Sequence, residues 1–274
     1  MSTVIFTSSS LRHKAFASIA FNNRSLNLSK VFFEKGKPLE DLVEKKTDNF
    51  LEKKHLEARA IYEKDFFSLY LETQKNINKI VNYVPRGWFS SETCLKELKT
   101  LNPSQILVYG TSIIKGEIIN HFKKRILNLH LGLSPYYRGA GTNYFPFVNK
   151  EPEYAGSTIM YLDSGIDTGE IIHQFRPEIN ISDSFHQLSN RFLVKSFKIY
   201  SLIAAKHLVN GLGKPSISSE IKNNKKLVYK KNDFCKKNII SLYDNFQNNM
   251  IENFLENKKN RYANTPILEQ EFLK

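Results

Sequence analysis

The sequence predicts an α/β fold: a mostly parallel sheet flanked by helices, with a short, mainly helical C-terminal extension. Three observations carry this. Short apolar, β-branched runs recur, among them "TVIFT" (3–7), "LSKVFFE" (28–34), "SQILVYG" (104–110) and "RILNLHL" (125–131). Stretches of helical periodicity lie between several of them, and strands alternating with helices close into a parallel sheet. The composition, 41% hydrophobic and 24% charged over 274 residues, is that of a globular chain with a sizeable core.

Each element has a local reason. "TVIFT" ends at serines and runs into "LRHKAFASIAF", which reads as strand, tight turn and helix. Residues 39–80 are charged and helical in pattern, with no β-rich run; they form a helical insertion whose most periodic part is "HLEARAIYEKDFFSLYL". Pro85 and Gly87 break that pattern, and "SETCLKELKTL" is a short helix started by Ser90 or Ser91. "IIKGEIINHFKK" is a further helix. Beyond the "YYRGAGTNYFPF" loop, "GSTIMYLD" and "GEIIHQFRPEINI" form a hairpin around "DSGIDTG". Ser184 and Gln187 make a capping box that opens a long amphipathic helix ended by Gly211. "NGLGKPS" then separates a domain of residues 1–210 from a basic extension, 211–274, holding the strand "KLVYK" and the helix "NIISLYDNFQNNMIENFLE".

Several classes are excluded. No run approaches the roughly 18 apolar residues of a membrane span, and the N-terminal apolar run is too short for a signal peptide. Cys94 and Cys235 are isolated, which points to a reduced, cytoplasmic compartment. The seven histidines lack metal-ligand spacing, so no metal is expected. "GLSPY" is not a nucleophile elbow and "GLGKP" is not a phosphate-binding P-loop. Tyr144 stands where a dinucleotide fingerprint needs its third glycine. The net charge of +13 is densest at 222–237, where seven lysines meet one aspartate. That segment suits a solvated helix face or tail, or a nucleic-acid contact.

Residues two apart on a strand share a face. Asn128 and His130 therefore project together at the end of a parallel strand, where open α/β sheets bind ligands. A carboxamide there can donate to a developing oxyanion and an imidazole can relay a proton, although both could equally be structural. Asp163 and Asp167 either orient that imidazole or serve as turn formers. Ser10, Arg12 and His13 stand at a helix N-terminus, where a phosphate contact and a plain cap are both open. Tyr137, Arg138 and Asn143 lie on an aromatic loop that suits a base or sugar ring, or packing.

"NLHLGLSPYYRG" and "STIMYLDSGIDTGEII", whose aspartate lies 37 positions beyond His130, resemble the folate-dependent formyltransferase family. The likeness runs over about residues 1–210 and is strongest at 104–175. It implies a Rossmann-like sheet, catalytic Asn128, His130 and Asp167, and 10-formyltetrahydrofolate as co-substrate. Gly110, Thr111, Ser112, Ile113 and Ile114 would offer backbone groups to its pterin, and the turn beginning at Asp163 would close the other side. The family's commoner "H-x-S-L-L-P" is here "HLGLSP", with Gly132 at the serine position. "TSSSLRH" replaces the purine branch's glycine-rich loop, and the extension looks helical rather than like the tRNA branch's β-barrel. The resemblance therefore implies a nucleotide-linked amino sugar as acceptor, for surface polysaccharide synthesis. Methionyl-tRNA formylation and 10-formyltetrahydrofolate hydrolysis are the alternatives, and the 39–80 helices suit a lid or a homodimer contact.

Overall fold

A computed structural model describes residues 1–36, 49–217 and 226–273. Residues 39–48 of the predicted insertion and 222–225 of the lysine-rich segment lie outside them.

The chain begins with β1 (Thr3–Ser8), α1 (Leu11–Asn22) and β2 (Leu28–Glu34), followed by α2 (Phe50–Glu72). Asn49 caps α2, its side chain accepting from the Glu52 N–H at 3.3 Å. β3 (Val81–Val84) follows, then α3 (Glu92–Leu101), β4 (Gln105–Tyr109), α4 (Glu117–His121) and β5 (Ile126–His130). After β6 (Tyr137–Gly139) and the single turn α5 (Phe145–Val148) come β7 (Ser157–Tyr161), β8 (Ile171–Phe175) and the long α6 (Phe185–Asn210). The remainder holds β9 (Ser216–Ile217), β10 (Leu227–Tyr229), α7 (Lys236–Gln247), α8 (Met250–Glu256), α9 (Lys258–Ala263) and β11 (Leu268–Glu269).

Seven strands form the main sheet in the order β3-β2-β1-β4-β5-β7-β8. The first five are parallel, and β7 and β8 are antiparallel additions. The mostly parallel, Rossmann-like sheet is thus present. Alternation along β5 sends Leu127 and Leu129 into the core shared with α1 and α6, and Ile126 into the opposite core. Asn128 and His130 follow Ile126 on that second face.

Four local readings change. Val81–Val84 is a fifth parallel strand where the sequence suggested only a break, because its partner β2 supplies the ladder. α4 is shorter than expected, since Gly116 at φ +83° excludes the preceding residues from the helix. The last predicted helix is broken at Asn249, which adopts φ +56°, and α7 and α8 meet there. The fourth change is β6, inside the aromatic loop, which pairs in parallel with β10. Behind that pair, Tyr136, Tyr137, Phe145 and Phe147 share one buried cluster with Leu242, Ile251 and Phe254 of the extension. The described part of the lysine-rich segment is therefore docked on the loop that follows β5.

Candidate active site

The register Val108↔Asn128 aligns β4 with β5, so residues 110–114 leave the sheet beside His130. His130 is 7% exposed. Its Nε2 lies 3.0 Å from the Tyr137 carbonyl oxygen and its Nδ1 lies 3.3 Å from Asp167 Oδ1. A carbonyl and a carboxylate both accept, so the two contacts are attractive together only when the ring carries both protons. Asn128 is half-buried on the same face, and its carboxamide makes no hydrogen bond to a described residue.

Asp167 reaches His130 from an unexpected direction. β7 runs antiparallel to β5, so the loop after it starts at the far end of the strand, where the Leu162 N–H bonds Ile126 O. The loop then doubles back along the sheet face. Asp167 holds a left-handed φ of +51°, and its Oδ2 accepts from the Gly139 N–H at 2.9 Å. Its backbone oxygen accepts from Ser134 Oγ at 3.2 Å. Asp163 lies apart from the histidine: its carboxylate accepts from the Gly165 N–H and from Thr168 Oγ1, which shapes the turn.

The 110–114 loop offers less backbone than expected. Glu34, at the end of β2, accepts from the Gly87 N–H, the Ser112 N–H and Ser112 Oγ at 2.5–2.7 Å. Ile113 O accepts from Ser90 Oγ, and Ile114 is buried in the core. Thr111 is half-buried. Gly110 is required: at φ +61°, a Cβ there would sit 2.1 Å from His13 Nε2. The loop presents the Ile113 side chain outward, and the 163–167 turn presents Ile166; both are exposed.

The remaining candidates separate. Ser10 Oγ lies 2.6 Å from His13 Nδ1, so these two engage each other instead of standing free for a phosphate. Enclosure against Tyr109 and Gly110, reinforced by the Arg12 charge, lowers His13 to about 3. Tyr137 is fully buried, its hydroxyl bonded to Glu151 and Asn149, so its ring cannot touch a ligand. Arg138 is carried on β6, and its Nε is buried with no partner among the described residues. Arg12 and Asn143 are brought together at a cavity of about 320 Å³. Arg12 is paired there with Glu63, as is Arg59 at 2.6 Å. Burial would raise the Glu63 carboxyl, but the two guanidiniums overcome it and hold it at about 2.

Other residues gave no sequence signal beyond their type. Thr158 Oγ1 donates to Gly132 O at 2.6 Å and accepts from the Ser134 N–H at 3.0 Å, while Gln174 Nε2 donates to Ser134 O. Together they brace the segment after His130. Thr142 Oγ1 donates to Leu131 O at 2.7 Å and lies 3.4 Å from His130 Nε2. No described helix is long and apolar enough to cross a membrane. Among the described residues, no group of three or more His, Cys, Asp or Glu could hold a metal ion.

A family model described as formyl transferase matches residues 42–203. The methionyl-tRNA formyltransferase of Thermodesulfovibrio yellowstonii is 39% identical over 102 residues, 36% of this chain and 32% of that protein. That of Clostridium tetani is 29% identical over 147 residues, 53% of this chain and 45% of that protein. The matched stretches thus span under half the length of these relatives. A phosphoribosylglycinamide formyltransferase structure from Streptococcus pneumoniae superposes with a TM-score of 0.52 at 19% identity, covering 76% of this chain and 98% of that one. A sugar N-formyltransferase from a Shewanella species gives 0.54 at 16% identity, covering 89% and 88%. At these identities the likeness is one of fold.

Proposed function

The chain belongs to the formyl transferase family, and from that premise we propose that it moves a formyl group from 10-formyltetrahydrofolate to a primary amine. The acceptor we propose is a nucleotide-linked amino sugar. One observation carries the chemistry: His130 is held between Asp167 and the Tyr137 carbonyl, one alternate position from Asn128, at the C-terminal edge of the parallel strands.

When bound, the folate supplies a formyl group on a nitrogen that can leave. As the amine nitrogen attacks the formyl carbon, negative charge gathers on the formyl oxygen, and the Asn128 carboxamide donates to it. His130 takes the proton that the amine sheds. The protonated ring is the state in which both of its contacts are attractive, so Asp167 and Tyr137 O stabilise it as it forms. When the carbon–nitrogen bond to the folate breaks, His130 returns the proton to the leaving nitrogen. Asp167 is fixed by the Gly139 N–H and orients the ring without moving a proton itself.

Two features favour a sugar acceptor. β1 runs into "SSSLRH", where Ser10 and His13 bind each other and leave no glycine-rich phosphate loop. The described residues beyond α6 pack onto the loop after β5 as helices and short strands, not as a barrel. The sequence kinship to methionyl-tRNA formyltransferases favours a second reading, with tRNA as acceptor. Tetrahydrofolate release from 10-formyltetrahydrofolate separates them, measured with a panel of nucleotide-linked amino sugars, with charged initiator tRNA, and with neither. Release that requires one sugar supports the proposal. Release that requires tRNA, or that proceeds without an amine as in a hydrolase, overturns it.

A further inference from the structure

We propose that the cavity beside Arg12 binds the diphosphate and ring of a nucleoside diphosphate group, and that the C-terminal extension supplies one of its walls. This rests on the reading of the acceptor as nucleotide-linked, and it assigns that half of the acceptor to a place and to residues.

The cavity lies where the starts of α1 and α6 meet α2 and the loop after β5. Arg12, Arg59, Lys230 and Lys231 line it, and among the described residues no aspartate or glutamate does. Glu63 ties the two arginines together, Asp233 accepts from the backbone N–H of Lys230 and Glu52 accepts from Asn49 Nδ2, so these three acids act from outside the lining. Four cations around a concave space, with no carboxylate of the described residues in its lining, attract an anion. Tyr144, Phe145, Phe185 and Phe234 form the apolar part of the wall, which suits a flat ring. Two buried hydroxyls on lining residues, Tyr144 OH and Ser189 Oγ, have no hydrogen-bond partner among the described residues. Orphaned buried hydroxyls at a cavity wall are expected where a polar ligand completes them. At about 320 Å³ the space matches a small molecule and is too small for a nucleic-acid strand.

The extension is part of this wall by construction. β10 pairs with β6, and Tyr229 O accepts from the Ala140 N–H at 2.8 Å. That pairing delivers Lys230, Lys231 and Phe234 opposite residues 140–145. The position also suits the chemistry. Gly141 and Asn143 line the cavity, and Thr142 between them carries the hydroxyl that lies 3.4 Å from His130. A ligand seated here by its diphosphate has only to extend past that loop to bring an amine to the sheet edge.

The test is calorimetric titration of the full chain with UDP, uridine and inorganic pyrophosphate, in the absence of folate and amine. Saturable UDP binding is expected, with Lys230→Gln/Lys231→Gln weakening it about tenfold by loss of charge-assisted contacts. Tyr144→Phe and Ser189→Ala, which remove one hydroxyl each, should weaken it severalfold; these small changes keep the test meaningful if the lysine pair disturbs the docked segment. Asp167→Asn should bind UDP as the natural chain does while losing transfer. UDP affinity unchanged in all three cavity variants would overturn the proposal, as would the absence of saturable binding. Pyrophosphate binding as tightly as UDP would overturn the role given to the aromatic wall. Competition of tRNA with UDP, lost in the same variants, would overturn the small-molecule occupant. Because the titration contains neither formyl donor nor amine, failure of formyl transfer leaves its result standing.

Discussion

The smallest departure from the family pattern has a physical partner ten positions away. A Cβ at Gly132 would lie 2.5 Å from His130 Nε2 and 2.7 Å from both Cβ and Oγ1 of Thr142. The volume that a serine side chain would fill is occupied from the other side of the loop, by a threonine whose hydroxyl donates to Leu131 O and whose oxygen lies 3.4 Å from the same imidazole nitrogen. Glycine at 132 and threonine at 142 therefore form one solution to supporting His130. Gly132→Ser alone should lower kcat by one to two orders of magnitude, about the worth of a misplaced catalytic group. Adding Thr142→Ala should recover much of the loss; steady-state kinetics of the two variants with no such recovery would show that the positions are independent. His130→Ala should cost several orders of magnitude in kcat with the melting temperature little changed, and wild-type-like turnover would sink its assignment. Asp167→Asn keeps a residue tolerant of φ +51° and should cut kcat about a thousandfold while the folate KM stays nearly fixed. Normal kcat in that variant would reduce Asp167 to a former of the turn.

At the scale of elements, the short ladder between β6 and β10 joins the extension to the loop that follows His130. Gly139 stands at φ +89°, and a Cβ there would lie 2.2 Å from Tyr229 O, so the pairing requires glycine. Gly139→Ala should cost on the order of 3 kcal/mol, from left-handed strain plus the displaced ladder. It should also lower activity, because the same residue's N–H holds Asp167. Thermal melts paired with turnover would check this, and an unshifted melt would show that the ladder carries no weight. The sequence marked β10, as "KLVYK", but neither β6 nor the pairing. A strand of three residues inside an aromatic loop has no periodicity to read, and Tyr137 meets Leu227 across 90 positions of chain. The long strands and α6 were legible, because burial on one or both faces imposes its period on the residues. Asn128 and His130 were legible for the same reason: two polar residues alternate with leucines. The aromatic loop was ambiguous, since the ring that would stack on a ligand also fills a core. Tyr136, Tyr137 and Phe147 took the second course, while Tyr144 and Phe145, buried in the same cluster, also line the cavity. Ser10 and His13 stayed open between a phosphate contact and a plain cap, because sequence shows residue types and spacing but not that the two bind each other.

Across the whole molecule, buried histidines are held uncharged, His13 and His173 as well as the pair in the helix layer beside the cavity, and together they shape how stability responds to acid. His55 is 5% exposed and His186 is 6% exposed. Burial, with the charge of Arg59 added, lowers them from 6.5 to about 3 and about 4. Their rings lie 4.9 Å apart, and Tyr243 OH stands 3.1 Å from His55 Nδ1 and 3.3 Å from His186 Nε2. The sign follows from proton counting. Between the folded and unfolded values the unfolded chain binds more protons, so stability is full above pH 6.5 and is lost as the pH falls toward 4. Each unit of pH in that window costs up to about 1.4 kcal/mol per histidine. Glu63, held at about 2, keeps its ion pairs with Arg12 and Arg59 through the same range and adds its own loss only below about 4.5. A chain of net charge +13 also repels itself more strongly as acid adds protons, and this would mimic the effect. Salt separates the two, because screening weakens repulsion between distant surface charges but leaves the cost of protonating a buried ring. Melting temperatures at pH 7.5 and pH 5, in low and in 0.5 M salt, should therefore fall with acid in both. His186→Gln should lessen the fall in both by one histidine's share, and a slope that vanished in salt while ignoring that substitution would assign the acid sensitivity to net charge instead.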